Sequence, residues 1–326
     1  MKWDFGDIIA GKKEIDPFLG LSCYMLGFNR HDIVDFVSEK IKNHEDGIEE
    51  LRNKLYNMSG GYNSIFLLSG AQANEAAIKI SKEKHQLEDP DRNQIVYLDR
   101  GYHGNTFLTE ALHLGIISDL DFIYCMSHDF TNPPEDWDKV SCLIFETRQW
   151  QSLIKPYPTG DNNFSPDNFW KNLKEIQANG VNIIVDDIFF GGGKTGDFFG
   201  WKSLPIEPDF ITMGKAITGG YFPLSIVMSK CPYIDTEPFI IDSYFSNPGA
   251  LSCLKYIDIL ESEKHLDNLE YLQSKTEEMF DGDWFRKLGT VYATGDTLLQ
   301  VPFNANDEYF EAMKKWSDNL IRYRTY

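Results

Sequence analysis

Cysteine is scarce in this chain of 326 residues, and the five present, Cys23, Cys125, Cys142, Cys231 and Cys253, are scattered with no C-x-x-C pair. That pattern excludes a disulfide framework and offers no zinc motif, so no metal is expected and reduced core thiols in a cytoplasmic protein are the simplest account. Long apolar runs are missing as well. No stretch approaches the roughly 18 consecutive apolar residues of a membrane span, and the opening MKWDFGDIIAGKKEIDPF lacks the apolar core of a signal peptide. Positive charge is short: 31 Lys and Arg stand against 50 Asp and Glu, a formal net charge of -19. Nucleic acid and anionic membrane both require clustered positive charge, so neither is expected as a partner.

What is present is a steady alternation of helical and strand patterns, the mark of an α/β chain with a largely parallel sheet. His31 to Leu55 reads as helical, with Ile33, Val34, Val37, Ile41, Ile48, Leu51 and Leu55 at mostly helical spacing. Short apolar strands are expected at Ile65–Leu68, Gln94–Leu98, Phe122–Cys125, Cys142–Phe145, Asn182–Val185 and Phe210–Met213. A helix carrying Ala73, Ala77 and Ile80 follows the first of them. Another runs from Pro166, with Ser165 as its N-cap, to a stop at Gly180. Further helices are expected after Pro248 and over Asp307–Ile321.

The polar residues fall at telling places. Ser69, Asp186 and Lys215 each sit just past the C-terminal end of an expected strand, the edge at which open α/β sheets bind ligands. Ser69-Gly70-Ala71-Gln72 joins a strand to a helix start, where free backbone N–H groups and the helix dipole would cradle a phosphate. It could equally be an ordinary tight turn. Asp186 ends a buried strand, where a carboxylate needs a partner; a protonated pyridine nitrogen would serve, and so would a helix cap or salt bridge. Asp187 beside it points elsewhere. Lys215 would be partly desolvated, which frees its amine as a nucleophile and proton carrier, unless its stem only covers the sheet edge. Tyr102-His103-Gly104 offers two flat side chains, one of which could stack on a planar ligand. Gly193-Lys194-Thr195 is a false lead: the P-loop pattern needs a glycine at position 188, where Ile188 stands, and Gly191-Gly192-Gly193 reads as a flexible loop.

Taken together, order and spacing resemble the class III aminotransferases, pyridoxal 5′-phosphate (PLP) enzymes of fold type I. The matching stretches are LSGAQANEAAIKISK (68–82), GYHGNT (101–106), FET (145–147), IIVDDIFFGGGKTGDFFGWKSLPIEPDFITMGKAITGG (183–220) and DSYFSNPGALSCLKYIDILE (242–261). The resemblance covers residues from about 20 to 260. It implies a mainly parallel seven-stranded sheet with helices on both faces, and a reduced small α+β domain. The N-terminal segment 1–38 would belong to the small domain, 39–262 would form the large PLP-binding domain, and 263–326 would complete the small one.

The resemblance also implies roles. Lys215 would form the Schiff base with PLP, and Asp186 would hold the pyridine nitrogen. Ser69, Gly70 and Ala71 would bind the phosphate. Tyr102 would stack on one ring face, with His103 beside it, and Ile188 would pack on the other. Glu75 and Glu146 would support the site. Ser243 would donate to the phosphate of a partner subunit, which makes the protein a homodimer with shared sites. An amine donor and a keto acid acceptor would exchange the amino group by a ping-pong mechanism. An aminomutase or decarboxylase of the same fold, or a catalytically weak binding protein, are the alternatives.

Two departures stand out. The family's D-E-x-Q reads Asp186-Asp187-Ile188-Phe189, so the glutamine that meets the ring hydroxyl is replaced by Phe189. The chain is short for the family at both ends, most clearly after Gly289, where a carboxylate-binding arginine is usual. Arg148 is a weak substitute for that arginine. A donor with a terminal amine, such as a diamine or ω-amino acid, is therefore expected.

Overall fold

Seven strands hydrogen-bond into one sheet: β1 (Asn63–Leu67), β2 (Gln94–Leu98), β3 (Ile123–Met126), β4 (Val140–Glu146), β5 (Asn182–Asp186), β6 (Phe210–Met213) and β7 (Ser225–Ser229). Their spatial order is β1-β7-β6-β5-β4-β2-β3. The computed structural model describes residues 19–28, 30–99, 101–114, 121–127, 129–130, 132–147, 166–232, 247–279, 285–288, 291–294 and 297–314. Neighbours from β3 to β6 run parallel, whereas β7 is antiparallel to both β1 and β6. Two antiparallel steps restore direction, so β1 points the same way as β6. The C-terminal ends of β1, β2, β4, β5 and β6 therefore share one edge.

The strand sequences explain this layering. VSCLIFE in β4 and NIIVD in β5 are buried at every position, as expected of parallel strands covered on both faces. Alternate residues feed two separate cores. Leu143, Phe145, Ile183 and Val185 pack with Phe169, Leu173 and Ile176 of helix α5 (Pro166–Ala178) and with Leu254 and Ile257 of α6 (Asn247–Ser262). Ile144 and Ile184 pack on the other face with Ala73, Ala77 and Ile80 of α3 (Gly70–Gln86) and Leu112 of α4 (Phe107–Leu114). Gly180, with φ 90°, ends α5 as its spacing predicts. The expected cap Ser165 lies outside the described residues.

The single helix expected from His31 to Leu55 is in fact two, α1 (His31–Lys42) and α2 (Ile48–Ser59). Between them His44 and Gly47 take left-handed conformations, φ 60° and 68°. A Cβ at Gly47 would lie 2.7 Å from Leu251 of α6. The apolar period survives the break because each half separately docks a face, which is why periodicity alone hid it. The strand expectations hold to within a residue or two, but β7 was not anticipated. Beyond α7 (Leu269–Met279), strands β8 (Phe285–Leu288), β9 (Val291–Thr294) and β10 (Thr297–Gln300) make a small antiparallel sheet. A last helix, α8, covers 307–314 and buries Phe310 and Met313; the rest of the expected helix, with Leu320, is outside the described residues.

The segment before α1 is held from both sides. Residues 19–22 all have positive φ, from 47° to 76°. Ser22 Oγ donates to Phe189 O at 3.3 Å, while Phe303 N and Asn304 Nδ2 donate to the Met25 and Leu26 carbonyls, each at 2.8 Å.

A buried polar cluster lies against β4 and β5 away from the ligand edge. Asn182 Nδ2 donates to Ser81 Oγ at 2.7 Å and meets His85 Nε2 at 2.9 Å. Burial, then the charges of Arg92 and Lys84, push the His85 pKa down to about 4. The unfolded chain would take up a proton near pH 6.5, which the folded chain refuses. Stability supplied by neutral His85 is thus complete above pH 6.5 and is lost as pH falls towards 4. Urea unfolding across that window should show a falling midpoint. His85→Gln, which keeps an acceptor for Asn182, should flatten it.

Candidate active site

Five chain segments bring polar groups to the shared edge. In register, Glu146 of β4 stands beside Asp186 of β5, and Asp186 beside Thr212 of β6, three residues before Lys215.

At the end of β1, Ser69 caps α3: its hydroxyl accepts from Gln72 N, and the Gln72 side chain accepts from Ser69 N. The first backbone bond of the helix is Ala73 N to Ser69 O at 3.0 Å. Gly70 and Ala71 N–H groups thus precede the intrahelical ladder, at the positive end of a 17-residue helix. Ser225 Oγ on β7 donates to Ser69 O at 2.7 Å and fixes the turn. A Cβ at Gly70 would come within 2.7 Å of Ile188 Cδ1. Only glycine lets the turn and Ile188 approach so closely.

Asp186 is 4% exposed and accepts on both oxygens. Its Oδ2 accepts from His103 Nδ1 and Asn74 Nδ2, each at 2.8 Å, and its Oδ1 from Ile188 N at 3.1 Å. Three N–H donors on one buried carboxyl fix it in one orientation. Asp187 turns away, accepting from Thr147 Oγ1 at 2.5 Å and Trp201 N at 3.3 Å, and burial pushes its pKa up to about 7.

Lys215 opens a short 3-10 turn after β6 with φ 53°, a left-handed conformation costly for a side chain bearing a Cβ. Burial pushes its pKa down, against the opposing pull of Asp186, Cys23 and Glu146. Its Nζ lies 5.0 Å from the centroid of the Phe189 ring. Glu146, also buried, has its pKa pushed well up by burial and by Asp186; Tyr102 N donates to its Oε2 at 3.3 Å.

Several sequence expectations meet at this edge: Ser69, Gly70, Ala71, Tyr102, His103, Glu146, Asp186, Ile188 and Lys215. His103 differs in detail, since it bonds to Asp186 from a buried position instead of presenting its face. Glu75 acts at one remove, accepting from Thr106 Oγ1 at 2.6 Å and Leu108 N at 3.3 Å, which secures the start of α4. Arg148 and Ser243 lie outside the described residues. The glycine run 191–193 is not a loose loop: all three residues are buried, and the buried Lys194 donates to Gly191 O at 2.8 Å. Burial and Lys215 bring the Lys194 pKa down to about 7.

Asn74, Thr212, Ser225, Cys23 and Lys194 were missed. The available signal was a polar residue inside an apolar strand, Thr212 in FITM, and one inside the small-residue face of α3, Asn74. Among the described residues no group of His, Cys, Asp and Glu is arranged to hold a metal, and no helix is long and apolar enough to cross a membrane.

Comparison with known proteins places these features in company. The family model described as "Aminotransferase class-III" matches residues 8–114 and 137–281. An acetylornithine aminotransferase of Lactococcus lactis is 27% identical over 300 residues, covering 82% of this chain and 74% of that protein. A taurine–pyruvate aminotransferase of Bilophila wadsworthia is 25% identical over 317 residues, covering 84% and 70%. Among solved structures, an ornithine aminotransferase from Toxoplasma gondii superimposes with a TM-score of 0.77 at 18% identity, covering 94% of this chain and 85% of that one. An (S)-enantioselective omega-transaminase from Thermomicrobium roseum gives 0.75 at 17% identity, covering 93% and 87%. At these identities the structural likeness establishes the fold, a PLP-transferase sheet with helices on both faces.

Proposed function

This chain belongs to the class-III aminotransferases, a PLP-dependent family, and we propose that its sheet edge binds PLP and moves an amino group from a terminal amine to a keto acid or aldehyde. The observation that carries the reading is the convergence of a buried lysine, a buried carboxylate and a helix N-terminus on one edge.

The residues fit the cofactor. The Gly70 and Ala71 N–H groups lie at the open N-terminus of α3 and suit a phosphate, and the Ser69 hydroxyl, accepting from Gln72 N, keeps its own hydrogen to donate. Asp186, with Oδ2 doubly donated, keeps a lone pair on Oδ1 for a protonated ring nitrogen. Ile188 and Tyr102 would bracket the ring. When bound, PLP supplies an electrophilic carbonyl carbon and a ring that withdraws electrons from the substrate carbon losing its proton. Lys215 would hold the cofactor covalently, yield it to the donor amine, and then carry the proton at its Nζ. Burial pushes the pKa of that amine down, which favours the form able to accept a proton. Ser243 would reach the phosphate of a partner subunit, so the active form would be a homodimer. Hydrogen bonds from 303–304 to 25–26 support grouping the N-terminal segment with the C-terminal small domain.

The test is an absorption spectrum of protein with added PLP, followed through an amine panel and then a keto acid. A visible band that a terminal amine removes and a keto acid restores is expected. No band would overturn the cofactor reading, and turnover of α-amino acids alone would overturn the donor class.

A further inference from the structure

We propose that Asn74 and Thr212 form an orientation lock that sets the carboxylate of Asp186 and the tautomer of His103, making both positioning residues for the reaction proposed above. The inference rests on Asp186 being the partner of the PLP ring nitrogen.

The lock joins three elements. Asn74 lies one turn into α3, Thr212 is the register neighbour of Asp186 on β6, and His103 follows β2. Thr212 Oγ1 meets Asn74 Oδ1 at 2.6 Å; Asn74 Nδ2 meets both Asp186 Oδ2 and His103 O at 2.8 Å. All of these groups are nine-tenths buried or more.

Chemistry decides the direction of every bond. A carbonyl oxygen and a carboxylate oxygen only accept, so the amide nitrogen of Asn74 faces His103 O and Asp186 Oδ2 with both hydrogens. Its oxygen then faces Thr212, whose hydroxyl must donate. With Asn74 on Asp186 Oδ2, His103 must also bring a hydrogen on Nδ1. His103 Nε2, buried with no partner among the described residues, is left without one. Oδ1 remains as the open acceptor. A rotated amide would set its oxygen against two acceptors and surrender two bonds; the Thr212 hydroxyl supplies the donor for the amide oxygen of the correct orientation, and without it the hold of Asn74 on Asp186 Oδ2 loosens.

A lock of this kind differs from core packing in what it predicts. Thr212→Val keeps the shape of the side chain and removes the donor; Thr212→Ser keeps the donor. Losing a buried bond of this type should weaken PLP binding to apo protein by about tenfold or more in Thr212→Val, and by little in Thr212→Ser. In ¹⁵N NMR of the apo protein, His103 should read as the pure Nδ1–H form in the wild type and in Thr212→Ser, and as a mixture in Thr212→Val. Asn74→Asp gives an independent readout. It sets a second carboxyl against Asp186, and its PLP affinity relative to wild type should recover as pH is lowered and the new carboxyl becomes a donor. Equilibrium dialysis measures the affinities, with apo melting temperatures as the folding control. Wild-type affinity and an unmixed His103 signal in Thr212→Val would overturn the lock, as would a serine variant as impaired as valine or a pH-independent defect in Asn74→Asp. Wild-type protein that binds no PLP would instead sink the cofactor assignment, and the His103 signal, read without cofactor, would still decide the lock.

Discussion

Lys215→Ala is expected to leave a folded protein that retains no PLP covalently and transfers amino groups at least about 10⁴-fold more slowly, since proton transfer by a positioned side chain alone supplies up to that factor. Two properties of the native residue support so large an effect. Its amine is buried, which pushes its pKa down and favours the unprotonated form, and no neighbouring lysine duplicates its place at the end of β6. Lys194, the other amine with a depressed pKa among the described residues, is fully buried and bonded to Gly191 O. Folding should survive, because truncation removes a group that burial disfavours. Borohydride reduction followed by peptide mass analysis should find the cofactor on the Lys215 peptide of the wild type and nowhere in the variant. Transfer at a wild-type rate in Lys215→Ala would refute the assignment.

Asp186→Ala should be nearly as damaging. Breaking a buried pair by removing one partner costs about 3–5 kcal/mol, or roughly 10²- to 4 × 10³-fold in PLP affinity and more in turnover. Three donors, His103 Nδ1, Asn74 Nδ2 and Ile188 N, would lose their acceptor together, so the melting temperature should fall as well. Asp187 is the matched control. It is equally buried and adjacent in sequence, but its partners are Thr147 and Trp201. With its pKa near 7 it is already protonated in part, and Asp187→Asn should leave transfer within a few-fold of wild type. Equal losses of PLP affinity in the two variants would mean that Asp186 has no special claim on the cofactor.

The chain's local signals were sufficient for much of this. Strands β2, β4, β5 and β6 are apolar runs that end in small or polar residues, and such runs mark both a buried strand and its ligand-facing end. The helix from Pro166 to the glycine stop was written in turn chemistry that acts within a few residues. Other features left no local trace. The break at 43–47 hides because both halves keep a helical period, and the left-handed turn at Gly47 is demanded by Leu251, two hundred residues away. The antiparallel insertion of β7 depends on which edges remain to be paired.

The sequence by itself pointed to one ligand edge, because Ser69, Asp186 and Lys215 each follow the C-terminal end of an expected strand, and its resemblance to the class III aminotransferases implied the chemistry. Only the tertiary structure decided how those groups are tuned. Asp186 and Asp187 are neighbours of one type, yet one meets His103 and Asn74 and the other meets Thr147. Strand geometry sends adjacent side chains to opposite faces. What each carboxylate becomes then depends on donors supplied by α3, β2 and β4, from parts of the chain that no local pattern connects.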